Sequence, residues 1–226
     1  MGLFRIDASI NPDGSASRAL GDIIESEWRA ASPGETVVRR DVGTDPFGAT
    51  AWTDAVRAAR LPEEQRSPAQ RLAVELAASL AADLRAASAV LLTVPLYNLG
   101  ISQHVKAWID LVIVGATSPL EALLAGKPAV LVVARGGAYG PGTPREGWDH
   151  ATGYLRRILA NVWGADLIVV EREFTLVGVD PELDEFKEMA AGMRDAALAA
   201  AREAGRAMLS RRQASNPRHV NDAMAS

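Results

Sequence analysis

Three short stretches of this sequence carry groups that could bind a small polar ligand. Residues 9–17 hold serines around turn-forming residues, and hydroxyls with free N–H groups at a helix start make an anion site without a lysine. Residues 95–100 offer a tyrosine ring, an amide and free backbone N–H groups, which suit a flat ligand with polar edges. Residues 135–142 are rich in glycine, so their backbone can approach a ring closely.

Each stretch taken singly also has a purely structural interpretation. Ser15 or Ser17 would cap a helix, as serines often do. Tyr97 would cover the core beside a turn at Asn98, and Gly136-Gly137 would be a turn and nothing more. The joint placement of the three stretches is what favours a binding site.

The segments around these stretches have the pattern of a parallel α/β protein. Apolar runs precede the three loops, and the second and third runs are continuous, which is typical of strands buried on both faces. Strands are predicted at residues 3–8, 36–40, 89–94, 129–134 and 166–170. Helices are predicted at residues 15–31, 67–87, 101–114, 120–124, 148–162 and 182–210.

This alternation predicts an α/β fold, a doubly wound five-stranded parallel sheet with helices on both faces and the flavodoxin-like strand order 2-1-3-4-5. In that order strands one, three and four are neighbours. The three loops therefore meet at the carboxyl ends of these strands, where open parallel sheets bind ligands. The folded domain is predicted to span residues 1–210, and residues 211–226, which lose periodicity, are predicted to form a disordered tail.

Composition narrows the class of protein further. A net charge of -4 argues against nucleic acid or an anionic membrane as a partner. The absence of cysteine excludes disulfides and thiolate sites, so any redox chemistry must come from a bound cofactor. The N-terminus shows no signal segment and the apolar runs are too short to span a bilayer, so the expected location is the cytoplasm.

Other chemistries have little support in the sequence. His104, His150 and His219 lie far apart and lack metal-ligand spacing, so no metal site is expected. The Gly-x-Ser-x-Gly elbow of serine hydrolases and the Gly-x-Gly-x-x-Gly loop of dinucleotide folds are both absent. Ser9 and Pro95 stand where a receiver-type signalling domain would need acidic residues.

At its three loops the sequence resembles the FMN-dependent NADH-azoreductases, flavodoxin-like reductases of quinones and azo compounds. The resemblance rests on Ser9 with Ser15-Ala16-Ser17, on Pro95-Leu96-Tyr97-Asn98 with the helix after it, and on Arg135-Gly136-Gly137. It implies an FMN flavoprotein oxidoreductase with NADH or NADPH as co-substrate and a quinone or azo compound as electron acceptor. It also implies ping-pong hydride transfer through flavin N5 with no catalytic side chain, in a homodimer with the flavin at the interface.

The resemblance further implies which residues bind the cofactor. The serine loop, residues 9–17, would hold the FMN phosphate. The tyrosine loop, residues 95–100, and the glycine loop, residues 135–142, would flank the isoalloxazine ring. The implied residues are Ser9, Ser15, Ala16, Ser17, Pro95, Leu96, Tyr97, Asn98, Leu99, Ala134, Arg135, Gly136, Gly137 and Tyr139.

The sequence departs from the family pattern in several places. Ala16 and Ala134 replace residues that are commonly polar, and Asn161 stands where an apolar aromatic is typical. The chain between Val114 and Lys127 is short and lacks the aromatic residues expected over the flavin. The substrate-side wall is therefore rebuilt. An azoreductase-like scaffold repurposed for another reaction on a specialised substrate, with or without flavin, is the alternative function, and a non-catalytic flavin-binding or sensor role is a further one.

The helix after the tyrosine loop bears on the oligomeric state. Residues 101–114 carry more apolar surface, including Trp108 and Ile113, than one core-facing stripe needs. This excess predicts a homodimer interface beside the flavin. The alternative is that all of this surface packs within one subunit.

Overall fold

One parallel sheet organises the protein, whose computed structural model describes residues 2–215. The strands are β1 (Leu3–Asp7), β2 (Val37–Asp41), β3 (Ala89–Pro95), β4 (Pro128–Ala134) and β5 (Asp166–Arg172). They lie in the order β2-β1-β3-β4-β5, and every neighbouring pair is parallel. The predicted strand order is therefore confirmed.

Helices cover both faces of the sheet, as predicted. They are α1 (Ala16–Ala31), α2 (Ala51–Ala58), α3 (Pro68–Ala86), α4 (Gln103–Gly115), α5 (Thr152–Arg156, continued by a π-helix over Arg157–Val162) and α6 (Lys187–Ser215). One buried cluster joins α2, α3, α4 and α5 to the first face, and a second joins α1 and α6 to the other. Short 3₁₀ turns lie at Glu63–Gln65 and Pro181–Phe186.

Burial follows the sequence pattern closely in the central strands. Every residue of β4 is buried, as is β3 up to Val94, and these two runs were expected to be covered on both faces. Every residue of β1 is buried as well. β2 and β5 are the edge strands and are partly exposed. Among residues 2–215, no helix is long and apolar enough to cross a membrane.

Several predicted helices differ in extent from those observed. The segment predicted as a helix at residues 120–124 forms turns, with Leu120 77% exposed, and the helix predicted from Trp148 begins at Thr152. In α3 the buried stripe includes Ala73 and Ala77, whereas Leu72 points to solvent. The sequence places leucines at every fourth position of this helix, Leu72, Leu76, Leu80 and Leu84. A spacing of four residues exceeds the 3.6 residues of one helical turn, so such a row rotates around the helix and does not keep facing the core.

The last helix begins and ends later in the sequence than predicted, at Lys187 and Ser215. It begins later because Pro181–Phe186 forms a 3₁₀ turn. α6 continues to Ser215 because the first residues of the predicted tail find partners on the folded body. Arg211 pairs with Asp166 at 2.6 Å, and Arg212 pairs with Glu35. Residues 216–226 of the predicted tail lie outside the described residues.

A charged side chain is buried in the middle of β1. Arg5 is 1% exposed, and its guanidinium lies 3.0 Å from Asp7, 3.2 Å from Glu25 and 2.6 Å from Asp22. Burial by itself lowers the pKa of Arg5, but the neighbouring carboxylates raise it above its usual value. A buried cation is tolerated only when it is paired, so these carboxylates are required by the fold.

Asp7→Asn should destabilise the protein by about 3 kcal/mol, because it removes the charge facing a buried guanidinium. The measurement is chemical denaturation followed by circular dichroism. Lys106→Gln is the control, since it removes one partner of the exposed Lys106–Asp110 pair and should cost less than about 1 kcal/mol. Equal losses in the two variants would contradict a structural role for the Arg5 network.

Candidate functional site

A cavity of about 330 Å³ opens where the carboxyl ends of the central strands meet. Because β1, β3 and β4 are neighbours, the three loops identified in the sequence come together there. The predicted site residues that line it are Ser9, Ser15, Ala16, Ser17, Pro95, Leu96, Tyr97, Ala134 and Gly136. The lining also includes Asn11, Gly14, Thr175, Leu176 and Val179.

One end of the cavity is built from hydroxyls and a helix start. Ser15 is the N-cap of α1 and accepts a hydrogen bond from the N–H of Arg18 at 3.4 Å. The hydroxyl oxygens of Ser15 and Ser17 are 3.2 Å apart, and Ser9 and Ser17 are almost fully buried. The first N–H groups of a helix have no partner within it and favour an anion. This end therefore suits a phosphate group.

The hydroxyl of Tyr97 connects two of the loops. It accepts a hydrogen bond from the N–H of Ile10 at 3.2 Å and lies 3.5 Å from the hydroxyl oxygen of Ser9. Tyr97 lines the cavity, and its hydroxyl fixes the serine loop at the same time. The sequence indicated a ligand contact or core packing for this ring, and it gave no sign of the contact with Ile10.

The chain after Tyr97 turns back sharply. Tyr97 and Gly100 exchange two backbone hydrogen bonds of 3.0 and 2.9 Å around Asn98 and Leu99, which have φ values of 47° and 69°. These are the positive angles of a type I′ turn, and the left-handed conformation at Leu99 costs roughly 1–2 kcal/mol. The N–H of His150, which donates to the carbonyl of Leu99 at 2.9 Å, helps to hold it.

This turn limits what the tyrosine loop can offer a ligand. The N–H of Tyr97 already donates to Gly100, and the N–H of Leu96 donates to Ala134 at 2.8 Å. Asn98 is exposed, and neither Asn98 nor Leu99 lines the cavity. The loop therefore contributes a wall rather than a row of free donors.

Arg135 forms ion pairs inside the protein with carboxylates that are distant from it in the sequence. Its guanidinium lies 2.7 Å from Asp149, 2.7 Å from Glu171 and 3.0 Å from Glu173, and the residue is 6% exposed. Burial by itself lowers the pKa of Arg135, but these carboxylates raise it above its usual value. Its side chain is thus engaged within the protein, and Arg135 does not line the cavity.

The two glycines after Arg135 differ in their surroundings. A Cβ on Gly136 would lie 2.7 Å from Cδ1 of Leu176, whereas a Cβ on Gly137 would meet the flexible end of Arg145 at 3.0 Å and the ring of Tyr139 at 3.9 Å. Gly136 lines the cavity, but Gly137 and Tyr139 do not. The backbone of Gly136 therefore lies close to Leu176, whereas its predicted close approach to a ligand ring stays a prediction.

The loop after β5 completes the cavity and was not identified from the sequence. The N–H groups of Phe174, Thr175 and Leu176 donate to the carbonyls of the glycine loop at 3.0–3.2 Å. Phe174 has a φ of 54°, which is strained for a bulky residue, and its ring stacks on Phe186 at 5.2 Å. Only the neighbouring positions of β4 and β5 place this loop over the site.

Comparison with known proteins adds an independent observation. A sequence family described as "Flavodoxin-like fold" matches residues 1–200. The chain belongs to this family. A relative named FMN-dependent NADH:quinone oxidoreductase, from Frankia casuarinae, is 39% identical over 204 residues, which cover 88% of this chain and 96% of the relative. Another of the same name, from Kineococcus radiotolerans, is 39% identical over 91% of this chain and 99% of the relative.

Solved structures share the flavodoxin-like fold. An azoreductase from Bacillus anthracis str. Sterne superposes with a TM-score of 0.72 at 22% identity, covering 91% of this chain and 99% of the azoreductase. An FMN-dependent NADH-azoreductase from Bacillus anthracis str. Ames Ancestor, in complex with FMN, gives 0.66 at 18% identity, covering 91% and 100%. At these identities the likeness concerns the fold alone. The family resemblance inferred from the loops is confirmed by the family match and the relatives.

Tyr97→Phe should loosen the serine loop, because the N–H of Ile10 loses its acceptor. Hydrogen exchange at the Ile10 amide should accelerate about threefold to tenfold, as expected for one lost hydrogen bond. Tyr139→Phe is the matched control, since within residues 2–215 the hydrogen bond to the Tyr139 hydroxyl comes from the exposed side chain of Arg145. Unchanged exchange at Ile10 in Tyr97→Phe would show that the hydroxyl does not hold this loop.

Proposed function

We propose that this protein is an FMN-dependent NADH:quinone oxidoreductase. The observation that carries the proposal is one cavity that joins the serine anion site at the start of α1 to walls formed by Pro95, Tyr97 and Gly136. Relatives that cover nearly the whole chain bear this name, which supports the same assignment here.

The residues present fit FMN. The hydroxyls of Ser9, Ser15 and Ser17, with the first N–H groups of α1, are the neutral donors that a phosphate needs at a helix start. Pro95–Tyr97 and Gly136 would hold the ring system on the other side. The volume of about 330 Å³ lies at the lower end of the range of roughly 300–1,000 Å³ that ligand sites occupy.

Bound FMN would supply the redox chemistry by accepting a hydride from NADH and passing reducing equivalents to an acceptor. The protein's own residues bind, orient and exclude water. Within residues 2–215, the N–H groups of Gly136 and Gly137 have no internal hydrogen-bond acceptor. Preorganised donors of this kind stabilise negative charge without reorganising, and Gly136 is the one on the cavity wall.

The acceptor is an apolar, flat molecule such as a quinone or an azo compound. Leu176 and Val179 line the cavity and are 45% and 75% exposed, so the mouth offers apolar surface to a second substrate. NADH and the acceptor would occupy this same opening in turn, which would give ping-pong kinetics.

Incubation with FMN should give a yellow protein, NADH should bleach it without oxygen, and a simple quinone should restore the colour. Ser17→Ala should weaken FMN binding about tenfold or more, because a hydrogen bond to a charged group is lost. Ser79→Ala is the matched control, since the Ser79 hydroxyl donates to Leu76 on the exposed face of α3. A protein that takes up no FMN, or whose colour NADH leaves unchanged, contradicts the proposed function.

We also propose that the protein is a homodimer, but through a different surface from the one the sequence suggested. In α4, Trp108 is fully buried and packs edge-on against Trp163 at 5.6 Å, so its ring faces the subunit's own core. Exposed apolar residues lie instead at the cavity end of the sheet, and they include Ile10, Trp148, Leu176 and Val179. Their position would place the interface at the mouth of the site.

Light scattering at micromolar concentration should therefore give about twice the subunit mass of 24.0 kDa. Val179→Glu should shift the protein toward the monomer, because a charge in an apolar interface loses its hydration. Leu120→Glu is the control, since Leu120 is equally exposed. Leu120 lies between the end of α4 and the start of β4, at the amino ends of the strands and away from the cavity. A wild-type protein that scatters as a monomer rules out the dimer.

A further inference from the structure

Arg18 binds the serine loop on the side away from the cavity. It lies in the first turn of α1, one residue after Ser17, and its side chain is 13% exposed. Its guanidinium donates to the carbonyl of Ser9 at 2.7 Å, while its backbone N–H donates to the hydroxyl of Ser15. One residue therefore holds both ends of the loop that forms the anion site.

Asp41, the last residue of β2, orients Arg18. Its two carboxylate oxygens accept hydrogen bonds from Arg18 at 2.7 and 2.8 Å. It also accepts from the N–H groups of Gly43 and Thr44, both at 3.1 Å. Burial by itself raises the pKa of Asp41, but the hydrogen bonds from Arg18 and Thr44 outweigh it and lower the pKa to about 2.

The loop after β2 also touches the serine loop directly. A Cβ on Gly43 would lie 2.1 Å from the carbonyl oxygen of Ser9 and 2.5 Å from its carbonyl carbon. The backbone at Gly43 is thus in contact with Ser9, on the carbonyl that Arg18 binds. Ser9 has little room to move away from the cavity.

Arg18 is not itself placed as a ligand of the anion. Its charge is paired with Asp41 and lies 3.8 Å from Asp7, and Arg18 does not line the cavity. Whatever it contributes to binding must pass through the position of Ser9 and Ser15. This makes it a positioning residue.

We propose that Arg18, oriented by Asp41, sets the preference of this site for phosphorylated over unphosphorylated flavin, an inference that rests on the proposed function. The physical reason is that donors fixed before binding lose little freedom when the phosphate arrives. A loosened serine loop must be ordered by the ligand. That cost falls mainly on the phosphate, because the ring walls belong to other loops and only the hydroxyl of Tyr97 connects them by hydrogen bonds to the serine loop among the described residues.

The test compares the dissociation constants of FMN and riboflavin in flavin-fluorescence titrations. Arg18→Lys keeps the charge but not the two-pronged geometry, and it should weaken FMN binding about tenfold while changing riboflavin binding less than about twofold. Asp41→Asn should act in the same direction. Arg39→Gln is the matched control, since Arg39 pairs with Glu25 at 2.8 Å at the far side of the same charge network.

The outcomes separate the two proposals. If the wild type prefers FMN and the preference falls in Arg18→Lys and Asp41→Asn but not in Arg39→Gln, the positioning role is supported. If the variants keep the preference, or lose both flavins equally, Arg18 is only structural and the inference is overturned. If the wild type binds neither flavin, the proposed function fails and takes the inference with it. If Arg18→Lys does not fold, the flavin preference of Asp41→Asn decides whether Arg18 has a positioning role. Asp41 is less buried than Arg18, so its substitution disturbs the fold less.

Discussion

A buried arginine is the constraint on which the rest of the structure depends. Arg5 sits in β1 with a strand on either side, and an unpaired charge there would cost far more than the fold can supply. Asp7, next but one in the strand, and Glu25, on α1, provide the compensating charge. Helix α1, which packs over β3 and β4, must therefore lie at a fixed position along its axis. Gly21 allows the close approach, because a Cβ there would lie 2.5 Å from the methyl group of Thr93.

The same charges continue from the core to the candidate site. Asp7 accepts a hydrogen bond from Thr93 at 2.7 Å and faces Arg18, which binds Asp41 and the carbonyl of Ser9. Arg135 plays a similar part on the other side of the cavity, where it joins the loop after β4 to Glu171 and Glu173. Each arginine ties together loops from neighbouring strands. The cavity is thus held open by ion pairs behind its walls.

Strained backbone is concentrated at the rim of this cavity. Asn98, Leu99 and Phe174 are the non-glycine residues with positive φ within the described chain. The paired hydrogen bonds between Tyr97 and Gly100 hold Asn98 and Leu99, and the N–H of His150 also binds Leu99. The ring of Phe174 is held by stacking on Phe186. Strain of this kind persists where the surroundings over-determine the conformation, and it clusters at functional sites. In this protein the strained residues lie in the tyrosine loop and in the loop after β5, and both loops line the same cavity.

The sequence by itself determined the strands, their order and the three loops that meet at the cavity, because apolar runs, caps and turn residues act over a few neighbouring positions. It also located Ser9, Ser17 and Tyr97 on the cavity wall. The tertiary structure decided what depends on partners distant in the chain. The side chain of Arg135 turns away because its carboxylates come from other segments, and Trp108 faces the core because Trp163 lies there. The strand order placed β5 beside β4, but the backbone hydrogen bonds from Phe174, Thr175 and Leu176 that lay the loop after β5 over Gly136 join segments far apart in the chain, and no local pattern encodes them.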